Sequence, residues 1–205
     1  MKLFITGTDT GVGKTIISAW LCLHLNAQYW KPVQTGTADS LTVKRLLNCS
    51  DDRILPERYL FQTPVSPHLA ASLERRIIDM SELRLPTSNS LIVEGAGGIL
   101  TPLNDKATML SLVQQLGLPT IVVARSSLGT INHTCLTLEA LKLAGTPVLG
   151  VIMNGVKNED NRRAVAQYGK VPVLDELEPC DPLNHGALKA RVPSEQLMKS
   201  LNVTV

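Results

Sequence analysis

Aromatic side chains are scarce in this chain: two Trp, three Tyr and two Phe make up 3% of 205 residues. Proteins that stack single-stranded nucleic acid need several exposed rings, so this shortage argues against that class of partner and leaves the core to aliphatic side chains. Charge of one sign is also lacking, because 20 Lys and Arg face 18 Asp and Glu for a net charge of +2. A near balance of mixed charges provides no electrostatic case for a nucleic-acid or membrane partner. The four cysteines, Cys22, Cys49, Cys135 and Cys180, include no C-x-x-C pair. That excludes the common zinc and redox spacings, and buried structural thiols are expected. Long apolar runs are missing as well. The opening "LFI" falls short of a signal-peptide core of about 7–15 residues, while "PTIVVA" and "PVLGVIM" fall short of the ~20 residues of a membrane span. A cytoplasmic location is expected.

No repeat, low-complexity tract or linker interrupts the chain, so one domain is expected over 1–205, and a 44% hydrophobic composition suffices for a sizeable core. Short β-branched runs alternate with helix-period segments, the pattern of an α/β fold with a mostly parallel sheet flanked by helices on both faces. Strands are read at Lys2–Thr6, Gln28–Val33, Ser90–Glu94, Thr120–Ala124, Val148–Met153 and Val171–Leu174. Helices are read at Lys14–Leu25, Asp39–Leu47, Ser66–Arg75, Thr108–Leu116, Ile131–Ala144 and Asp160–Tyr168. The tail after Leu177 is rich in turn residues and is expected to wrap the surface, ending in a short helix around Ser194–Leu201. Ligands of open parallel sheets gather at the carboxyl ends of the strands. Attention therefore falls on Gly7–Thr15, Gln34–Asp39, Glu94–Gly98, Arg125–Asn132 and Asn154.

The segment "GTDTGVGKT", Gly7 to Thr15, follows the first strand and opens a helix, the context a phosphate-binding loop requires. Glycines let backbone N–H groups turn around an anion, and the helix N-terminus adds its positive dipole end. Gly11, Val12, Gly13, Lys14 and Thr15 would hold nucleotide phosphates, with Lys14 reaching the β- and γ-phosphates and Thr15 ligating Mg²⁺. The first glycine is Gly7, one residue earlier than the strict spacing places it. Lys31, at the end of "WK" before Pro32, is either a second active-site cation or a solvated surface lysine. Glu94 ends the apolar "LIV" and precedes "GAGG", a place for a metal carboxylate or for a structural loop cap. Asp39 is either a second metal carboxylate or the N-cap of the next helix.

The order of "FITGTDTGVGKT", "KPVQTG" with the Asp39 region, "SPHLAA", "VEGAGGILTPL", "VVARSSLGTINHT" and "GVIMNG" resembles the dethiobiotin synthetases, over roughly Lys2 to Val156. The resemblance implies a homodimeric ligase that uses MgATP to join 7,8-diaminononanoate and CO₂ into a ureido ring, through a carbamate and a carbamic-phosphoric anhydride. It implies that Lys14 and Lys31 flank the γ-phosphate and the carbamate, and that Thr15, Asp39 and Glu94 hold Mg²⁺. By the same resemblance Thr10 and Thr35 donate hydroxyls to substrate or phosphate, Gly97 and Gly98 lie against the carbamate, and Asn154 reads the adenine edge. Leu128, Gly129 and Asn132 would reach the neighbouring subunit's substrate at its carboxylate end, and His133 is assigned to packing or capping. Two positions depart from the family pattern: Gly11 stands where some relatives carry an acid, and Asp175 where a small residue is common.

Two other readings compete. A related ATP-dependent ligase for another substrate is one, although 205 residues leave little room for the glutamine-hydrolysing domain that amidating relatives need. The other is a dimeric switch ATPase, whose loop would carry an early lysine where this chain has Asp9.

Overall fold

The computed structural model describes residues 1–202. Seven parallel strands form the central sheet, in the order β4 (Ile54–Leu55), β2 (Gln28–Trp30), β6 (Leu91–Glu94), β1 (Lys2–Gly7), β7 (Thr120–Arg125), β8 (Val148–Asn154) and β9 (Val173–Leu177). Each inner strand is apolar almost throughout because both of its faces are covered. Side chains alternate across the pleat, so Phe4, Val93, Val122 and Met153 enter one core layer while Ile5, Ile92, Val123 and Ile152 enter the other. Helices α3 (Pro67–Leu73), α4 (Met109–Leu116), α5 (Thr130–Leu143) and α6 (Glu159–Gly169) cover the first layer. Helices α1 (Lys14–His24) and α2 (Asp39–Leu47) cover the second. A fully buried Leu, Ile or Phe contributes about 1.5–3 kcal/mol, so these two layers carry most of the stability.

β1 lies at the middle of the sheet. Ile5 pairs in register with Glu94 of β6 on one side and with Ile121 of β7 on the other. The chain leaves β1 toward β2 and later returns to β7 on the opposite side, so the strand order reverses at the carboxyl end of β1. Open α/β sheets bind ligands in such a crevice, and the glycine-rich loop occupies it.

Three expectations need correction. The strand expected over Gln28–Val33 is divided. β2 ends at Trp30, and β3 (Val33–Thr35) pairs with β5 (Tyr59–Phe61) in a separate two-stranded sheet. Pro32 has no N–H to continue a ladder, and its carbonyl instead accepts from the N–H groups of Arg58 and Tyr59 at 2.9 and 3.0 Å. The last strand begins at Val173, after Pro172, rather than at Val171, for the same reason. The tail does more than wrap the surface. Helices α7 (His185–Lys189) and α8 (Glu195–Ser200) bury Leu188 and Leu197 completely in the α1 and α2 layer. Asp175 serves this closure, since its Oδ2 accepts from the N–H of Ser194, the N-cap of α8, at 2.6 Å. No helix among the described residues is long and apolar enough to cross a membrane.

Candidate functional site

The loop between β1 and α1 is shaped by what its glycines permit. Gly13 caps α1 in the left-handed region at φ 97° and supplies no side-chain acceptor to the first turn, whose N–H groups therefore face the crevice. Gly7 lets the loop fold back on the strand, because a Cβ there would come within 2.8 Å of the buried Val12 side chain. The early first glycine thus has a packing reason. Asn154, at the end of β8, donates its side-chain amide to the Val12 carbonyl at 3.1 Å. Gly11 is exposed at φ 73° with open space around it, so the absence of an acidic side chain there leaves the cleft wider.

Lys14 is 6% exposed and donates from Nζ to the Asp9 carbonyl at 2.8 Å. Burial lowers its pKa to about 8; Lys31 adds to the depression, while Glu94 and Asp39 oppose it. An ammonium in that condition gains strongly from an arriving anion. Asp9 is itself held by Arg125, whose guanidinium lies 3.2 Å from Oδ2.

Glu94 is the hub of the site and is 1% exposed. Its Oε1 accepts from Thr15 Oγ1 at 2.8 Å and from Lys31 Nζ at 3.2 Å, while Oε2 accepts from the Tyr29 hydroxyl at 2.9 Å. Lys31 also pairs with Asp39, so one ammonium lies between two carboxylates. Burial works against the charge on Lys31, but Glu94 and Asp39 outweigh it and raise its pKa. Tyr29 is pushed well above the ordinary phenol range, first by burial and then by Glu94, and remains a donor. The alternative of Lys31 as a solvated lysine is excluded by its 5% exposure. Asp39 does not cap α2. Ala38 holds the N-cap position, and Asp39, the first helical residue, turns to Lys31 instead.

These groups converge on a cleft of about 730 Å³ whose walls include Thr10, Gly11, Gly13, Lys14, Thr15, Lys31, Thr35, Asp39, Glu94 and Gly97. Gly98 lies in a neighbouring hollow of about 500 Å³ with Asp9, Leu100, His133 and Leu136. His133, expected to pack or to cap, is exposed along that hollow within one chain, because α5 turns this position outward. Leu128 is fully exposed, Gly129 caps α5 at φ 91°, and Asn132 faces a separate groove along α5. Within one chain these three residues stand apart from the Glu94 cluster. Asn154 borders a fourth hollow with Arg125, Ser126 and Lys157.

Sequence reasoning missed Tyr29 and gave Gln34, within the Gln34–Asp39 turn, no role of its own. Gln34 donates from Nε2 to the carbonyls of Thr35 and Thr37, both at 2.8 Å, and accepts from the Asp39 N–H at 3.2 Å, fixing the turn into α2. Tyr29 sits on a strand in apolar surroundings, where only tertiary placement reveals its polar partner.

Among the described residues no group of three or more His, Cys, Asp or Glu side chains is placed to hold a metal alone. A hydroxyl and two carboxylates are instead the sparse hard-oxygen set that suits Mg²⁺ when phosphate and water complete its shell. The pair of carboxylates around the Lys31 ammonium already accommodates a cation.

Residues 1–186 match the model of a family described as an AAA domain. The chain is 51% identical over 181 residues to the ATP-dependent dethiobiotin synthetase BioD of Paramagnetospirillum magneticum, covering 86% of this chain and 87% of that one. It is 44% identical to the BioD of Lawsonia intracellularis, covering 98% of both chains. A further relative is the biotin biosynthesis bifunctional protein BioCD of Bordetella avium, 48% identical across 91% of this chain and 41% of that longer protein. Among solved structures, the MinC:MinD cell division complex of Aquifex aeolicus aligns with a TM-score of 0.61 at 13% identity, covering 100% of this chain and 97% of that one. A ParA family ATPase from Chlorobium tepidum aligns at 0.52 and 13% identity, covering 97% and 95%. Likeness at that identity concerns the fold alone.

Proposed function

The chain belongs to the ATP-dependent dethiobiotin synthetases, carbon–nitrogen ligases of biotin biosynthesis, and from that membership we propose how its cleft performs the reaction. One amine of 7,8-diaminononanoate adds to CO₂ and releases a proton, forming a carbamate. A carbamate oxygen attacks the γ-phosphorus of ATP and ADP departs. The second amine attacks the carbonyl carbon, phosphate leaves, the amine loses a proton and the ureido ring closes.

The observation that carries this reading is the convergence of Lys14 and Lys31, both nearly buried, on one cleft with Glu94 and Asp39. A carbamate and a triphosphate are both anions, so their approach requires fixed cations between them. Lys14 leaves the Asp9 carbonyl for the β- and γ-phosphates, and Lys31 faces the carbamate and the transferring phosphoryl group. The first turn of α1 binds phosphate oxygens through its N–H groups. Thr10 and Thr35 donate hydroxyls, while the backbone at Gly97 and Gly98 lies against the carbamate and excludes water from the anhydride. Asn154 reads the adenine edge.

Thr15, Asp39 and Glu94 would hold Mg²⁺, which when bound offsets triphosphate charge and orients the γ-phosphoryl group. In a homodimer joined along α5, Leu128, Gly129 and Asn132 meet the carboxylate end of the substrate bound by the other subunit. The exposed Leu136 and Leu143 of α5 support that pairing. One domain over 1–205 then completes its site with a second copy.

The test is ADP release from purified protein with MgATP, with and without the diamine plus bicarbonate, and mass detection of the product. Release that requires both additions and yields dethiobiotin supports the reading. Release indifferent to them moves the function to a switch ATPase or to a ligase for another substrate.

A further inference from the structure

We propose that Tyr29 is a positioning residue for the metal carboxylate: its hydroxyl, bound to Glu94 Oε2, turns Oε1 toward Thr15 and the phosphate loop. The inference rests on the proposed role of Glu94 in holding Mg²⁺.

Tyr29 is fully buried on β2 and projects into the α1 and α2 layer. β2 pairs with β6 in register, Tyr29 beside Ile92 and Trp30 beside Val93, so the phenol side chain reaches two residues along β6 to the carboxylate at the strand's end. The carboxylate is thereby divided by function. Oε2 has the Tyr29 hydroxyl as its protein partner at 2.9 Å, while Oε1 accepts both donors from the cleft side, Thr15 at 2.8 Å and Lys31 at 3.2 Å. A carboxyl group rotates about its terminal bond with broad freedom. A buried acceptor left without a donor seeks another. Without the phenol, Oε2 competes with Oε1 for Lys31 and Thr15, and the plane of the carboxyl group is no longer set.

Residues that orient a metal ligand through a hydrogen bond change metal affinity by about 10–100-fold when removed. Tyr29→Phe keeps the ring that fills the core and deletes only the hydroxyl. Calorimetric titration of ADP, with and without Mg²⁺, measures how much the metal strengthens nucleotide binding. In Tyr29→Phe the metal-dependent gain should fall about tenfold, with metal-free ADP affinity unchanged; a general packing defect would lower both affinities together. A folded Tyr29→Phe protein that keeps the wild-type gain overturns the proposal.

Glu94→Gln separates the two levels of the argument. If Glu94→Gln keeps the metal-dependent gain, the metal reading of Glu94 fails and the inference fails with it. If Glu94→Gln loses the gain while Tyr29→Phe retains it, the inference about Tyr29 alone fails. Should Tyr29→Phe not fold, the unmutated chain labelled with 3-fluorotyrosine serves. It has three tyrosines, assigned through Tyr59→Phe and Tyr168→Phe. Adding Mg²⁺ to the ADP complex should move the fluorine signal of Tyr29, and a signal that stays in place overturns the proposal.

Discussion

The side-chain amide of Asn154 occupies the space that a Cβ on Gly13 would need, and from there it donates to the Val12 carbonyl at 3.1 Å. The end of β8 therefore presses on the phosphate loop, so the places proposed for base and phosphate share one contact. Gly13→Ala forces both a collision and a left-handed backbone, and the strain alone costs about 1–3 kcal/mol. Gly11→Ala meets open space and suffers only the backbone part. Equilibrium binding should show ATP affinity falling at least about tenfold in Gly13→Ala and less in Gly11→Ala, since each 1.4 kcal/mol is a factor of about ten. Equal losses in the two variants would mean that the Asn154 contact has no consequence.

Lys14 should show opposite effects on stability and catalysis. Its pKa of about 8 in the folded protein lies below the ordinary 10.5. Between those values the unfolded chain binds more protons, so stability rises as pH increases through that window. The shift corresponds to about 3 kcal/mol of unfavourable charge burial at neutral pH. Lys14→Met should therefore raise the melting temperature at pH 7, flatten its rise between about pH 8 and 10.5, and lower kcat by at least about 100-fold. Scanning calorimetry across pH checks the first two, and steady-state turnover the third.

Lys31 should behave differently because it is paired. Removing it leaves Asp39 and the buried Glu94 facing one another, and breaking a buried ion pair costs about 3–5 kcal/mol. Lys31→Ala should thus melt lower by about 2–4 °C per kcal/mol lost, and kcat should fall more than ATP affinity. If ATP affinity alone falls, Lys31 contributes uniform binding rather than transition-state stabilisation.

The proposed dimer has a direct probe on α5. Leu136 is 62% exposed and borders the hollow that contains Asp9 and Gly98. Leu136→Asp places a charge at the proposed contact. Sedimentation at micromolar protein should show the wild type at twice the chain mass and the variant shifted to monomer, with a raised KM for the diamine. A wild-type monomer with full activity would remove the shared site.

Residues close together in sequence were the legible ones. The phosphate loop, α2 beginning at Asp39, and the alternation of apolar strands with amphipathic helices all follow from local rules. The break after Trp30 was legible in principle, since Pro32 cannot continue a ladder, but the apolar composition of "YWKPV" masked it. The two-residue β4 and three-residue β5 carry too short a pattern to be read. The last helix of the tail is legible, since α8 with its caps falls on Ser194–Leu201 as read, but the packing of the tail is not, because the burial of Leu188 and Leu197 depends on α1 and α2.

The sequence by itself determined the chemistry on offer: a glycine loop opening a helix, two lysines, two carboxylates and a threonine in an order matching one family of ligases. Tertiary structure decided their use. Parallel pairing of β2, β6 and β1 brings Tyr29, Glu94 and Thr15 together across 65 to 79 residues of chain. Hydrogen bonds then choose the orientation of each charged group, and burial strengthens those choices by removing water as a competitor. Local composition specifies neither the partner nor the desolvation, because both arise only when distant strands register side by side.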